Sequence, residues 1–456
     1  MIPQEFLDRM RRMPSLDFDA FEAALNTPAV RALRVNTVKT NSEKLIPLLP
    51  FSVSPLPFAA NAFYAPEDKV GALPAHHAGM IYMQDPGAIS TVCAAAPDKG
   101  LRVIDLCAAP GGKTTQLAAA IGENGVLVSN EYVSARCRIL QGNIERMGTK
   151  NVILTNLSTD RLADFYGACF DLVVADVPCS GEGMFRKYDV ASSEWSPENV
   201  KMCAERQREI LENAARLTRP GGRLLYSTCT FSLEENEQNI DAFLTAHPDF
   251  SLLPVAPEII RITASGVCFS GAGHDLSACR RFYPHISPGE GQFVALLARQ
   301  EGDGEYAAKS ELSAPDRKTA QMAEAFLRDA LTEIPDGMQL LQWRDTLWLT
   351  PDFPIPLRGL FAPGVCIGTL QKGRIEPHHQ LASAYGKQYR RQIDLSDGDP
   401  RVTAYLRGEE LPLTAAEAAY GNGYAALLYE GAPLGGGKIV GDRLKNHYPK
   451  GLRNRG

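Results

Sequence analysis

Three short stretches carry residue types able to do chemistry: CAAPGGKTT at 107–115, DVPCSGEG at 176–183 and STCT at 227–230, each following an apolar run. The first ends in Gly-Lys-Thr and invites a phosphate-loop reading. That loop needs G-x-x-x-x-G-K-[ST], and the position five before Gly112 is Cys107, so its first glycine is missing. The dinucleotide pattern G-x-G-x-x-G fails too, because Gly111 and Gly112 are adjacent. What survives is a strand, a tight small-residue turn and a helix N-terminus, which let backbone approach a ligand closely. Near the end of the next strand, Glu131 sits where an acidic residue accepts both hydroxyls of a ribose. The combination suits an adenosine-containing cofactor without demanding its phosphates. Lys113 lies in the first helical turn, where a cation opposes the helix dipole at a cost of about 0.3–1 kcal/mol, and a role toward a ligand explains it. The other two stretches put Cys179 and Cys229 each just past a strand, Cys179 close behind Asp176. A lone cysteine there is ordinary packing, but two on one edge are candidates for thiol chemistry.

The elements that position these loops are legible in the apolar pattern. LRVIDL (101–106), GVLVSN (125–130), NVILT (151–155), FDLVVAD (170–176) and GRLLYST (222–228) read as buried strands. Helices alternate with them. Ser196 caps the clearest one, Pro197 opens it, and Val200, Cys203, Gln207, Ile210, Leu211, Ala214 and Leu217 form its stripe, with Pro220-Gly221-Gly222 as the stop. Ser232-Leu-Glu-Glu235 reads as a capping box opening a second helix. The alternation implies an α/β fold, a doubly wound, mostly parallel sheet whose ligands bind beyond the C-terminal strand ends.

At 456 residues the chain exceeds one ordinary core. Residues 299–319 are polar and read as a linker; beyond it, WRDTLWLT (343–350) and 423–442 read as strands and turns of an α+β region. With 45% apolar and 22% charged residues, and no long apolar run, a cytosolic globular protein is expected. Ten scattered cysteines without a CxxC pair signal neither a zinc site nor a disulfide framework, and no metal is expected. A net charge of −6 excludes sequence-blind coating of nucleic acid but leaves local patches free to bind it, such as residues 438–456, with six Lys/Arg against one Asp. As a bland alternative that run is a solvated tail.

VIDLCAAPGGKTTQLA, DVPCSGEG and LLYSTCTFSLEENEQNI, in this order, resemble the Sun/Fmu family of S-adenosylmethionine-dependent RNA cytosine 5-methyltransferases over most of residues 76–300. GTLQKGRIEPHHQLA and GDRLKNHYPKGLR resemble the C-terminal extension of its bacterial branch that modifies small-subunit ribosomal RNA, ending in a PUA-like RNA-binding module. RVNTVKTN (34–41) and YMQDPGAIS (82–90) resemble that branch's N-terminal part. The resemblance implies an N-terminal α+β RNA-binding domain at 1–75, a class I methyltransferase domain at 76–300, a linker and first C-terminal domain at 301–382, and the PUA-like domain at 383–456.

It further implies site roles. Cys229 is then the attacking thiolate and Cys179 assists product release, while Asp176 holds the cytosine edge near the cofactor methyl and Lys113 orients that aspartate and the base. Cys107, Ala108, Ala109, Pro110, Gly111, Gly112, Lys113 and Glu131 form the cofactor bed, with Asp176 at its edge. The family's aspartate near the adenine falls by spacing on Ser158, with Asn156 and Asp160 as substitutes. DNA cytosine 5-methyltransferases attack from a Pro-Cys motif, so Cys179 stays open as the rival nucleophile. The implied substrate is structured RNA with an accessible cytosine, since the base must leave its stack. A transfer-RNA substrate, a silent RNA-binding assembly factor and a nicotinamide oxidoreductase are the alternatives.

Overall fold

The computed structural model describes residues 2–66, 69–302 and 308–454. Among these the largest sheet has ten strands. Its core is five parallel strands, labelled here β1 (Arg102–Asp105), β2 (Val126–Asn130), β3 (Val152–Thr155), β4 (Phe170–Asp176) and β5 (Thr218–Thr228), in spatial order 3-2-1-4-5. The order reverses beside β1, so the crevice opens where β1 and β4 diverge, which is where ligands of open parallel sheets sit. Antiparallel strands extend both edges. Gln292–Arg299 lies beside β5, and Leu360–Ala362 beside β3.

The helices lie where the sequence pattern puts them, with two local differences. Four are used below: α1 (Gly112–Ile121), α2 (Ser134–Met147), α3 (Pro197–Leu217) and α4 (Glu237–Ala246). Ser196 caps α3 by accepting the Asn199 amide, and its expected stripe is buried. Pro220-Gly221-Gly222 lies inside β5 instead of ending α3, which stops at Leu217. The Ser232–Glu235 box is a turn ahead of α4, which starts at Glu237. Glu235 is drawn inward to satisfy buried donors, and that outweighs its local capping preference.

The N-terminal sheet runs Ser54–Leu56, Ala59–Tyr64, Ala32–Val35, Ile81–Gln84. Helices Gln4–Arg11 and Phe18–Leu25 pack Phe6, Met10 and Phe21 against Phe185, Trp195, Phe231 and Tyr283, behind the loop that carries Cys229. Of the polar stretch 299–319, residues 303–307 lie outside the described residues, and a helix capped by Asp316 begins at Arg317. The strands expected at 343–350 and 423–442 form within two further sheets, Met338–Trp343, Thr346–Pro351, Val365–Gln371, Arg374–Pro377 and Gln392–Leu395, Gly423–Tyr429, Ala432–Val440, Arg443–Asn446, Leu411–Pro412. The basic run from 438 is folded through Asn454, whose amide donates to Leu406 O, so it is no loose tail.

Candidate active site

The turn after β1 is shaped by close packing. Gly111 has φ +112, and a Cβ there would stand 2.9 Å from Leu140 of α2; one at Gly112 would stand 3.1 Å from Gln84 of the N-terminal sheet. Arg34, buried on that same sheet, donates to Gly112 O (3.0 Å), Thr115 Oγ1 (2.7 Å) and Gln84 Oε1 (3.2 Å). The N-terminal sheet therefore braces the start of α1 directly.

A cavity of about 600 Å³ opens over this turn. Its wall includes Asp105, Cys107, Ala108, Ala109, Pro110, Gly112 and Lys113 from the β1–α1 segment, Asp176 from β4, and Cys229. Tyr82, Asp85, Arg186, Lys187, Tyr188 and Gln292 also line it. Lys113 Nζ pairs with Asp176 Oδ2 at 2.7 Å. Burial disfavours the Lys113 charge, but Asp176, Cys229 and Asp105 outweigh it and raise its pKa. Asp176 Oδ1 accepts from Ser227 Oγ at 2.7 Å and from Gln292 Nε2 at 3.4 Å.

Cys229 lines the cavity and Cys179 does not, although both are half-buried; the two sulfurs are 3.2 Å apart. The Cys179 thiol is pushed well above its ordinary range by its hydrogen bond to Cys229, by burial, and by the charges of Cys229 and Glu235. Burial also pushes the Cys107 thiol up, which makes it a wall residue.

Glu131 is buried under the turn, away from the cavity wall. Its carboxylate accepts the amides of Ala109 (3.3 Å) and Val133 (2.8 Å), with Arg136 at 3.6 Å. Two carboxylate oxygens offer about four lone-pair directions, so acceptor capacity remains. Ser158 is the N-cap of helix Thr159–Tyr166 and bonds Asp160, which is exposed. Asn156 Nδ2 donates to Glu131 O (2.6 Å) and Tyr132 O (2.8 Å). The three adenine candidates thus cluster past β3, outside the walls of this cavity.

Sequence reasoning missed Asp105. It ends β1 fully buried; Oδ2 accepts from Thr114 Oγ1 at 2.8 Å, while Oδ1 has no partner. Burial, reinforced by the charge of Asp176, raises its pKa to about 7. An orphaned buried acceptor signals a missing donor or cation. The only trace in the sequence was an acid closing an otherwise apolar strand. Arg34 and Gln292 were also missed, since nothing local ties them to loops so distant in sequence.

Residues 92–298 match the family described as 16S rRNA methyltransferase RsmB/F, residues 2–86 the N-terminal domain of 16S rRNA methyltransferase RsmF, and residues 392–454 the methyltransferase RsmF PUA domain. The chain is 33% identical to ribosomal RNA small subunit methyltransferase F of Klebsiella pneumoniae, over 99% of this chain and 96% of the relative. The chain belongs to the ribosomal RNA small subunit methyltransferase F family.

Members of this family are S-adenosylmethionine-dependent RNA methyltransferases, and this chain is one. A methyltransferase homologue from Pyrococcus horikoshii has TM-score 0.56 at 29% identity, covering 65% of this chain and 95% of that one. NSun6 from the same organism, solved with SFG, has TM-score 0.58 at 23% identity over 66% of this chain and 99% of that one, which supports the fold. The cavity fits the cofactor: its partnerless Asp105 Oδ1 suits the ammonium of the methionine moiety, and the glycine turn admits a close approach. No group of three or more potential metal ligands occurs among the described residues, and no described helix is long and apolar enough to cross a membrane.

Proposed function

We propose that this methyltransferase modifies carbon 5 of a cytosine in small-subunit ribosomal RNA, with Cys229 as the attacking thiolate. The observation that carries this reading is the opposite surroundings of the two cysteines. Cys229 lines the cavity beside the Lys113–Asp176 pair, whereas Cys179 does not, lies on the side of Glu235, and is held as a thiol. Of the two, Cys229 is the one that lines the space a base would enter. The full-length likeness to relatives named for small-subunit ribosomal RNA supports the choice of substrate.

Carbon 5 of cytosine is a weak nucleophile until the ring is made electron-rich. Addition of the Cys229 thiolate to carbon 6 breaks the C5–C6 double bond, and N3 takes a proton from water while Asp176 holds the N3/N4 edge. S-adenosylmethionine, when bound, supplies an electrophilic methyl group on its sulfonium. Asp105 would hold its cationic end, the 107–113 turn its body and Glu131 the ribose. Carbon 5, made electron-rich by the Cys229 addition, would bond that methyl as the methyl–sulfonium bond breaks and leaves its electron pair on the thioether sulfur. The carbon 5 proton then leaves to water, its electron pair restores the C5–C6 double bond, the carbon–sulfur pair returns to Cys229, and N3 gives its proton back to water. Cys179, 3.2 Å from that sulfur, assists this exit. Lys113 keeps Asp176 oriented through their 2.7 Å ion pair.

Bisulfite mapping of total RNA with and without the active gene tests the substrate: a protected cytosine in small-subunit RNA is expected, and one in transfer RNA overturns that part. Denaturing gels test the thiol roles. Cys179→Ala should accumulate a covalent RNA adduct, and Cys229→Ala none; the reverse pattern makes Cys179 the nucleophile.

A further inference from the structure

The turn before α4 contains two consecutive residues, Glu235 and Asn236, both fully buried and neither lining the cavity. Glu235 accepts from the Ser180 amide (3.0 Å), from Ser180 Oγ (2.5 Å) and from Gln207 Nε2 (2.7 Å). The same Gln207 nitrogen donates to Pro178 O at 3.0 Å. Both chain neighbours of Cys179 are therefore tied to one carboxylate, Ser180 directly and Pro178 through Gln207. Asn236 does the corresponding work on the other loop. Its Oδ1 accepts from Thr228 Oγ1 at 2.7 Å and its Nδ2 donates to Thr230 O at 3.0 Å, so both neighbours of Cys229 are tied to one amide. Direct links between the loops are Ser227 Oγ to Asp176 Oδ1 at 2.7 Å, the Val177 amide to Ser227 O at 3.0 Å, Cys179 Sγ to Cys229 Sγ at 3.2 Å, Ser180 Oγ to Thr230 Oγ1 at 2.8 Å, the Gly183 amide to Cys229 O at 2.9 Å, and the Phe231 amide to Glu182 at 2.9 Å.

We propose that Glu235 and Asn236 are paired positioning residues, Glu235 for Cys179 and Asn236 for Cys229, whose adjacency in the chain sets the spacing of the two sulfurs. The proposal rests on the reading of Cys229 as attacker and Cys179 as release group. A buried carboxylate and a buried amide are costly unless satisfied, and here their hydrogen bonds are spent largely on the residues flanking the cysteines. Each residue acts on a different step. Loss of Glu235 loosens the release group and stalls an adduct already formed. Loss of Asn236 loosens the attacker and slows formation of the adduct. A general stabilising role predicts no such split.

The experiment compares Cys179→Ala, Glu235→Ala, Asn236→Ala and the Cys179→Ala/Asn236→Ala double variant in full-length protein, with substrate RNA and S-adenosylmethionine. It reads the covalent adduct on denaturing gels, methyl turnover, and cofactor binding by calorimetry. Glu235→Ala should accumulate adduct as Cys179→Ala does, with turnover down about 100-fold, the scale of a misplacement near 1 Å. Asn236→Ala should show no accumulation, and the double variant should form adduct about 100-fold more slowly than Cys179→Ala. Glu235→Gln, which keeps an acceptor for Ser180, should recover turnover to within about tenfold of the native protein. Identical adduct behaviour of Glu235→Ala and Asn236→Ala, with cofactor binding intact, overturns the proposal while leaving the thiol roles standing. Absence of adduct in Cys179→Ala overturns the thiol roles first and this inference with them. If either alanine variant loses cofactor binding, Ser180→Ala and Thr228→Val remove one bond on each side, and the same split or its absence decides.

Discussion

Lys113 and Asp176, 63 residues apart in the chain, meet at 2.7 Å on the cavity wall, joining the start of α1 to the end of β4. The pair couples the cofactor turn to the proposed cytosine-holding carboxylate. Lys113→Ala removes the charge that orients Asp176 at its Oδ2 while leaving Ser227 and Gln292 on Oδ1. Methyl transfer at saturating cofactor should fall by about 100-fold, within the range for a positioned acid–base group. Cofactor affinity should change little, because the turn's backbone is unaltered. Unchanged transfer in single-turnover assays would remove Lys113 from the chemistry.

This pairing was within reach of the sequence because each loop announces itself at a strand end. Strand runs, the α3 stripe with its Ser196 cap and the glycine turn all depend on residues a few positions apart, where periodicity speaks. Arg34, Asp105 and Asn236 gave no comparable sign, since their partners lie on other elements. Glu235 is the instructive case: its local pattern reads as a capping box, but the buried donors of Ser180 and Gln207, far along the chain, claim its carboxylate. Leu360–Ala362 was equally silent, being a short strand whose meaning comes from the open edge of β3.

Asp105 should trade stability for binding. Its pKa is raised by burial to about 7, so between roughly pH 4 and 7 the folded protein holds a proton that the unfolded chain has released. Its contribution to stability is therefore present at low pH and lost as pH rises through 7. Asp105→Asn, which stays neutral, should raise the melting temperature of the cofactor-free protein at pH 8 and leave it nearly unchanged near pH 3, below the ordinary carboxylate range. The same substitution should weaken cofactor binding at pH 8 by at least about tenfold, the loss of a charge-assisted contact. Thermal melts and calorimetry across this range check both signs; a variant that binds normally at pH 8 would exclude Asp105 as the ammonium acceptor.

Arg34 predicts a remote effect on the cofactor. Its guanidinium ties Gly112 O, Thr115 and Gln84 together from within the N-terminal sheet, and burial lowers its pKa to about 10, still charged at neutral pH. Arg34→Lys keeps the charge but not the fork that reaches several acceptors at once. Cofactor affinity should drop by about tenfold in Arg34→Lys and further in Arg34→Ala, with stability down by about 1.5–3 kcal/mol for a charged buried hydrogen-bonding group. Equal affinity in all three proteins would show that the turn holds its shape without this brace.

Lys39 makes the corresponding prediction for the assembly of the whole chain. Buried beneath the N-terminal sheet, its Nζ donates to Arg146 O at the end of α2 (2.9 Å), to Ser383 Oγ (3.0 Å) and to Pro433 O (2.9 Å). Three donors meet three acceptors, one from the methyltransferase sheet's helix layer and two from the C-terminal region. Burial, with the charges of Arg146 and Lys387, lowers the Lys39 pKa well below its ordinary value, opposed by the dipole of α2, whose C-terminal turn carries the Arg146 carbonyl. Lys39→Met keeps the apolar stem and withdraws all three donors, leaving acceptors buried without partners at about 1–3 kcal/mol for the group. The expected result is a lower midpoint in urea and faster proteolytic release of a C-terminal fragment, with the rate of adduct formation on a short single-stranded RNA unchanged. A variant as stable as the native protein, and as resistant to protease, would mean that the C-terminal region is held by its apolar contacts alone.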